Sequence, residues 1–190
     1  MSRIAVIVGH SRPYTFCEAL GHAYANGARE GGHEAQTFVL SKMTFDPILK
    51  EGYERVQALE PDLAAARDAI FSADHIVIVF PLWLGDMPAI LKGFLERLLQ
   101  PDLVEQAKQK AFVTFLKGKS ARIIVTMGMP GLIYRWYYGP HALQILSRNI
   151  LGFVGVSPIR TTIYGLVANA TDERRGQWLA EVEGMGRKAA

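Results

Sequence analysis

The chain has 190 residues, 21 lysines and arginines against 18 acids, a formal net charge of +3 and 49% hydrophobic residues. That length and apolar content predict one domain spanning residues 1–190 with a real core, and exclude intrinsic disorder. A single cysteine, Cys17, excludes an internal disulfide framework and fits a reducing compartment, while the small, scattered basic excess suits an anionic small ligand and not a nucleic-acid groove.

The apolar opening Ile4–Val8 reads as a buried strand. It stops at Gly9-His10-Ser11-Arg12-Pro13, too early for a signal-peptide core. No other run is long enough to span a membrane, so a soluble cytoplasmic protein is expected. A helix over Thr15–Arg29 follows, with Phe16, Ala19, Leu20, Ala23 and Tyr24 on one face. Glu34–Leu40 reads as a second strand. Asp46–Glu60, broken by Pro47 and Gly52, reads mostly as loop. Asp62–Ser72 is helical in pattern, and His75–Phe80 is a continuous strand. Asp86–Gln100 predicts a helix whose stripe is Met87, Ile90, Leu91, Phe94, Leu95, Leu98 and Leu99, with Pro88 in its first turn. A strand at Ala121–Met127, a helix near His141–Ile150 and a strand at Ile159–Leu166 come next. The last helix, capped by Thr171 and Asp172, carries Trp178, Leu179, Val182 and Met185.

Strands alternating with helices, the strands apolar throughout, predict an α/β fold. Five strands and this length suggest a flavodoxin-like, doubly wound, five-stranded parallel sheet of order 2-1-3-4-5 with helices on both faces, although spacing alone does not give the strand order. Ligands in such sheets sit beyond the carboxyl ends of the strands, which singles out the loops after strands one, three and four. Loop one, from Gly9 to Cys17, leads from a buried strand into a helix. It aims free backbone N–H groups and the helix dipole at the mouth. His10, Ser11 and Arg12 add donors, and Thr15 caps the helix or binds an anion. An ordinary capped turn explains the loop equally well. It matches neither the Walker A nor the Gly-x-Gly-x-x-Gly pattern. Loop three, from Phe80 to Pro88, carries Trp83 and two prolines, a stiff apolar wall suited to a planar ligand or a simple lid on the core. Loop four, Thr126-Met127-Gly128-Met129-Pro130-Gly131, has glycines that permit close backbone approach or merely a turn. An anion cradle, a flat wall and a glycine loop together describe a phosphorylated planar molecule. Flavin mononucleotide fits that description.

Other chemistries find little support. The five histidines, His10, His22, His33, His75 and His141, show no metal-ligand spacing, and no Gly-x-Ser-x-Gly elbow is present. Glu18 and Glu96 read as helix-surface carboxylates without partners. Cys17 stands where a helix dipole lowers a thiol pKa, although a small packed residue is the plainer reading. The run Tyr134-Arg135-Trp136-Tyr137-Tyr138 cannot face one core in full and points to a dimer interface or pocket rim. Lys108, Lys110, Lys117, Lys119 and Arg122 read as a solvated basic face, with recognition of an NADPH phosphate the lesser alternative.

At these residues the chain resembles the flavodoxin-like NAD(P)H:quinone oxidoreductases, a family that includes the bacterial drug-activity modulators. The resemblance runs over nearly the whole chain. It is carried by Gly9–Phe16, Phe45-Asp46-Pro47, Ala73–Val77, Phe80-Pro81-Leu82-Trp83, Met87–Phe94, Lys117–Arg122 and Thr126. It implies that His10, Ser11, Thr15, Phe16 and Cys17 hold the flavin phosphate. Backbone around Pro81, Leu82, Trp83 and Leu84 would meet the carbonyl and N5 side of the ring, and Thr126, Met127, Gly128 and Met129 would line its pyrimidine edge. Tyr134 falls where a charge-stabilising tyrosine of the family stands, and His141 lies near the place of a histidine that assists it. Leu84 replaces a second aromatic, Met129 a small residue, and Pro101–Lys108 a Gly-Phe-Ala-Phe/Tyr stretch that lines the acceptor pocket. The expected activity is hydride transfer from NAD(P)H through flavin N5 to quinones or similar acceptors, in a homodimer without a metal. FMN is preferred to FAD, although the loop Asp46–Glu60 leaves room for an adenine-binding segment. A flavodoxin-type electron carrier and a flavin-binding regulatory subunit are the alternatives.

Overall fold

The computed structural model describes residues 1–109 and 114–189. Five strands, β1 (Arg3–Val8), β2 (Glu34–Val39), β3 (His75–Pro81), β4 (Ser120–Thr126) and β5 (Ile159–Tyr164), pair in parallel in the order β2-β1-β3-β4-β5. The expected doubly wound sheet is therefore present, with its switch point between β1 and β3.

Side chains alternate across the sheet with a period of two, so each apolar strand feeds two cores. Ala5, Ile7, Ile76, Ile78, Phe80, Ile123 and Val125 meet α2 (Pro61–Ser72) and α3 (Ala89–Gln109). Val6, Val8, Val77, Val79 and Ile124 meet α1 (Phe16–Glu30) and α6 (Asp172–Arg187). Full burial of a side chain such as Phe94 or Leu91 contributes about 1.5–3 kcal/mol. α1 and α6 cross so closely that a Cβ on Gly27 would lie 1.9 Å from Glu183 O, and one on Gly186 2.1 Å from Tyr24 O. Threonine caps start both helices. Thr15 Oγ1 accepts from Glu18 N at 3.3 Å, and Thr171 Oγ1 from Arg174 N at 3.2 Å. Between β4 and β5 a single turn, α4 (Gly131–Ile133), runs into a π-helical turn, Tyr134–Tyr138. α5 (His141–Gln144) likewise runs into the π-helical stretch Ile145–Gly152. None of the described helices is long and apolar enough to cross a membrane.

Several expectations change. α3 does not end at Gln100 but continues through Pro101 to Gln109. Proline normally stops a helix. Here tertiary contacts hold the following turn in place, with Val104 buried and Asp102 paired to Arg67 of α2 at 2.8 Å. The long 43–60 segment lacks helix and strand, as expected, yet it is tied down. Arg97, fully buried, donates to Asp46 O, to Ala58 O at 2.7 Å and to the Glu60 carboxylate at 2.9 Å. One turn on, Gln100 Nε2 donates to Gly52 O and Arg55 O while its Oε1 accepts from Gln57 N.

The basic face is not a face. Lys119 Nζ donates to Phe71 O and Ala73 O at the C-terminus of α2, both at 2.6 Å, and Arg122 is buried against Thr162 Oγ1. Both satisfy backbone or core acceptors, which spacing alone does not reveal. Lys110 lies outside the described residues, as does the side chain of Lys108.

Candidate functional site

Loops one, three and four converge at the carboxyl edge of the sheet. In loop one, Tyr14 adopts a left-handed backbone (φ 58°) and gives its N–H to Glu18 Oε2 at 2.6 Å. Glu18 is 5% exposed, ion-paired with Lys42 and 3.5 Å from His22 Nε2, so it is neither a surface carboxylate nor without a partner. Burial pushes its pKa up, but the Lys42 ammonium and the Tyr14 N–H outweigh that and hold it below the usual carboxylate value. Glu96 likewise pairs with Lys92. The clamp leaves the N–H groups of Phe16 and Cys17, in the first turn of α1, without an acceptor among the described residues. Thr15 uses its oxygen as the cap acceptor and keeps its O–H proton for another partner. Ser11 is exposed beside it.

His10 accepts Arg12 N–H on Nδ1 at 2.9 Å, so in its neutral form the proton lies on Nε2. Burial and the Arg12 charge both lower its pKa, which keeps the ring neutral near pH 7. Its ring meets Trp83 edge to face at 5.0 Å and so joins loop one to loop three. Phe16 packs on Trp178.

Loop three is a tight turn. Trp83 and Asp86 exchange backbone hydrogen bonds of 2.9 and 3.0 Å, and the central residues Leu84 (φ 50°) and Gly85 (φ 82°) both have positive φ. Pro81 is buried at the end of β3 and has no N–H, and Leu82 spends its own on Thr126 O at 2.8 Å. The N–H groups without an acceptor among the described residues are those of Leu84 and Gly85. Gly85 was legible only as a turn former, because which N–H groups stay free depends on the turn type adopted.

At the start of loop four the Thr126 side chain turns inward and meets that of Cys17 in α1, Oγ1 to Sγ, at 3.2 Å. Burial pushes the Cys17 thiol up to about 11, which removes the thiolate that a redox role needs. Only the backbone of these two residues is available to a ligand. Met127 is buried, and the N–H groups of Gly128 and Met129 have no acceptor among the described residues.

Leu82, Leu84, Gly85, Met129, Tyr134 and His141 line one cleft of ≈ 320 Å³, with Tyr138 and Gly139 at its rim. That volume lies at the lower end of small-molecule sites. Tyr134 is 2% exposed, and among the described residues its Oη has no hydrogen-bond partner of normal geometry. The N–H groups of Ala142 and Leu143 face that oxygen without closing a bond of normal geometry, and burial raises the phenol pKa. Gly139 (φ 77°) makes the turn that brings His141 alongside: a Cβ there would stand 2.8 Å from His141 Nε2. The rest of the aromatic run faces outward, with Trp136 85% and Tyr137 81% exposed.

The model of the flavodoxin-like fold family matches residues 2–184. The chain belongs to this family. Relatives include an uncharacterized NAD(P)H oxidoreductase of Haemophilus influenzae, 25% identical over 92% of this chain and 89% of its own. NAD(P)H dehydrogenase [quinone] 1 of Rattus norvegicus is 22% identical over 93% of this chain and 73% of its own. The flavodoxin-like fold also superposes on the structure of NAD(P)H:quinone oxidoreductase from Methanothermobacter marburgensis. The TM-score is 0.79 at 22% identity, covering 98% and 95% of the two chains.

Proposed function

We propose that this chain is a flavin-dependent NAD(P)H oxidoreductase acting on quinones or similar acceptors. The observation that carries this reading is the set of unpaired donors at one sheet edge: N–H groups on all three loops and an orphaned buried phenol in the cleft between two of them. A flavin has a phosphate for loop one, ring carbonyls for the N–H groups of loops three and four, and a planar body for the cleft. A bound flavin would supply the two-electron chemistry that couples the nicotinamide to the acceptor.

The chain's residues supply position and charge compensation. Thr15, His10 Nε2 and the N–H groups of Phe16 and Cys17 hold the phosphate. Leu84 and Gly85 orient the ring through their backbone. The Tyr134 O–H, with His141 beside it, donates toward the edge where negative charge accumulates. FMN is the form assigned, because the 43–60 segment is clamped to α3 by Arg97 and Gln100. The relatives' names, quinone reductases among them, agree with the activity.

We read residues 1–190 as one domain of a cytoplasmic homodimer. The exposed Leu132, Ile133, Tyr137 and Tyr138 beside the cleft form the contact. Light scattering on the purified protein should give twice the chain mass, and an active, flavin-loaded monomer would refute the dimer.

The absorbance spectrum, the mass of the released chromophore, and NADPH oxidation with and without menadione test the function. Menadione-dependent turnover is expected. Flavin bound without turnover would leave an electron carrier, and a chain that takes up no flavin would end the proposal.

A further inference from the structure

The π-helical turn Tyr134–Tyr138 has two functional faces. Tyr134 and Tyr138 line the cleft, whereas Arg135 and Trp136 line a separate groove of ≈ 480 Å³ completed by Gln144, Ser147, Arg148 and Thr161. The two share a rim, since Gly139 and His141 border the cleft and Pro140, between them, borders the groove.

Among the described residues neither Arg135 nor Arg148 has a hydrogen bond or an ion-pair partner, although both are exposed. Arg55, Arg67, Arg97, Arg175 and Arg187, by contrast, are each paired with a carboxylate. Two uncompensated guanidinium groups in one groove call for an anion, and their forked geometry matches a phosphate dianion. The Trp136 indole, 85% exposed, offers a plane for a purine. Gln144, Ser147 and Thr161 supply neutral donors and acceptors suited to ribose hydroxyls.

We propose that this groove holds the adenosine end of the pyridine nucleotide, with Arg135 and Arg148 gripping the 2′-phosphate that distinguishes NADPH from NADH. The proposal rests on the reading of the adjoining cleft as the flavin and nicotinamide site. The nucleotide is extended and two-headed, so it reaches both places by crossing the shared rim.

Calorimetric titration of the purified protein with 2′,5′-ADP and with 5′-ADP tests this without turnover. The wild type should bind 2′,5′-ADP at least about tenfold tighter, because the extra phosphate gains charge-assisted bonds. Arg135→Gln combined with Arg148→Gln should erase that preference. Replacement of both by lysine should keep part of it, since charge survives and the fork does not. The ratio of kcat/KM for NADPH to that for NADH should fall in parallel in the glutamine variant. Equal binding of the two ligands by the wild type, or a preference that survives the double glutamine variant, overturns the assignment. If 2′,5′-ADP is preferred but neither nucleotide reduces the flavin, the groove stands and the oxidoreductase reading falls. If both nucleotides are turned over alike and 2′,5′-ADP is not preferred, the reverse holds.

Discussion

The Tyr134 hydroxyl is buried and unpaired, a state that costs a folded chain about 1–3 kcal/mol. Removing it should therefore leave the flavin-free protein as stable as before, or more so. If the phenol serves the proposed role, Tyr134→Phe should still slow flavin reduction several-fold with flavin affinity nearly unchanged. Donors at a developing oxyanion contribute roughly 2.7–4 kcal/mol, and less where the charge spreads over a ring. Stopped-flow bleaching at the flavin band, together with a melting curve, reads both halves. A variant that is as fast as wild type takes Tyr134 out of the chemistry. Leu84 is the second residue to test. It is fully exposed with φ 50°, a conformation that glycine adopts without strain. Leu84→Gly should stabilise the chain by about 1 kcal/mol, or roughly 2–4 °C in Tm. A lower Tm would show that the leucine side chain has contacts worth more than the strain.

At the level of elements, α3 organises the loop beside it. Arg97 and Gln100, three residues apart and so on one helix face, together satisfy Asp46 O, Gly52 O, Arg55 O, Ala58 O and the N–H of Gln57. Arg97→Ala leaves two carbonyls without their donor, and the Glu60 carboxylate with only the Asp46 N–H. Glu60 is 31% exposed and water can solvate it, so the main loss is the two carbonyl bonds, about 1–3 kcal/mol each where the carbonyl stays buried. Urea unfolding should show a lower midpoint, and limited proteolysis should cut first between 43 and 60. An unchanged midpoint would mean that water replaces the guanidinium at no cost. The two π-helical stretches are the other unusual elements, and π-helical turns often mark functional sites. Here the first sends Tyr134 inward and Arg135 and Trp136 outward.

For the whole molecule, one source of pH-dependent stability lies at the end of the sheet away from the cleft. His75 is 2% exposed, bonded through Nε2 to Tyr24 Oη at 3.0 Å and through Nδ1 to Ser120 Oγ at 2.7 Å. Burial, then the charges of Arg122 and Arg160, lowers its pKa to about 4 from 6.5. Between those values the unfolded chain binds a proton that the folded chain refuses, so stability falls as pH drops from about 6.5 to 4 and is fully present above. The loss from this group approaches about 3 kcal/mol, with a smaller contribution of the same sign from His10. Denaturation across that range should show the slope, and His75→Gln should flatten it. A slope that persists in the variant would assign it to other groups.

The strands and the three loops were legible in the sequence because apolar runs of period two and 3.6 depend on local pattern alone, whereas the strand order followed only from the fold class that strand count and length suggested. Ile4–Val8, His75–Phe80 and the Met87–Leu99 stripe have few other ways to bury themselves. The family resemblance added Tyr134 and His141, and the structure brings both into one cleft with Leu82, Leu84 and Met129. Tertiary structure alone decided which polar groups are spent and which are free. Glu18 is consumed by Lys42 and Tyr14, Cys17 by Thr126, Lys119 by two carbonyls, and α3 runs through Pro101 because Asp102 meets Arg67. The free N–H groups of Leu84 and Gly85 and the unpaired Arg135 and Arg148 are likewise invisible in sequence. The physical reason is that hydrophobic burial is roughly additive and non-directional, so composition and spacing forecast it. A hydrogen bond or ion pair exists only where two distant parts of the chain meet within a few tenths of an ångström, and only the folded chain makes that choice.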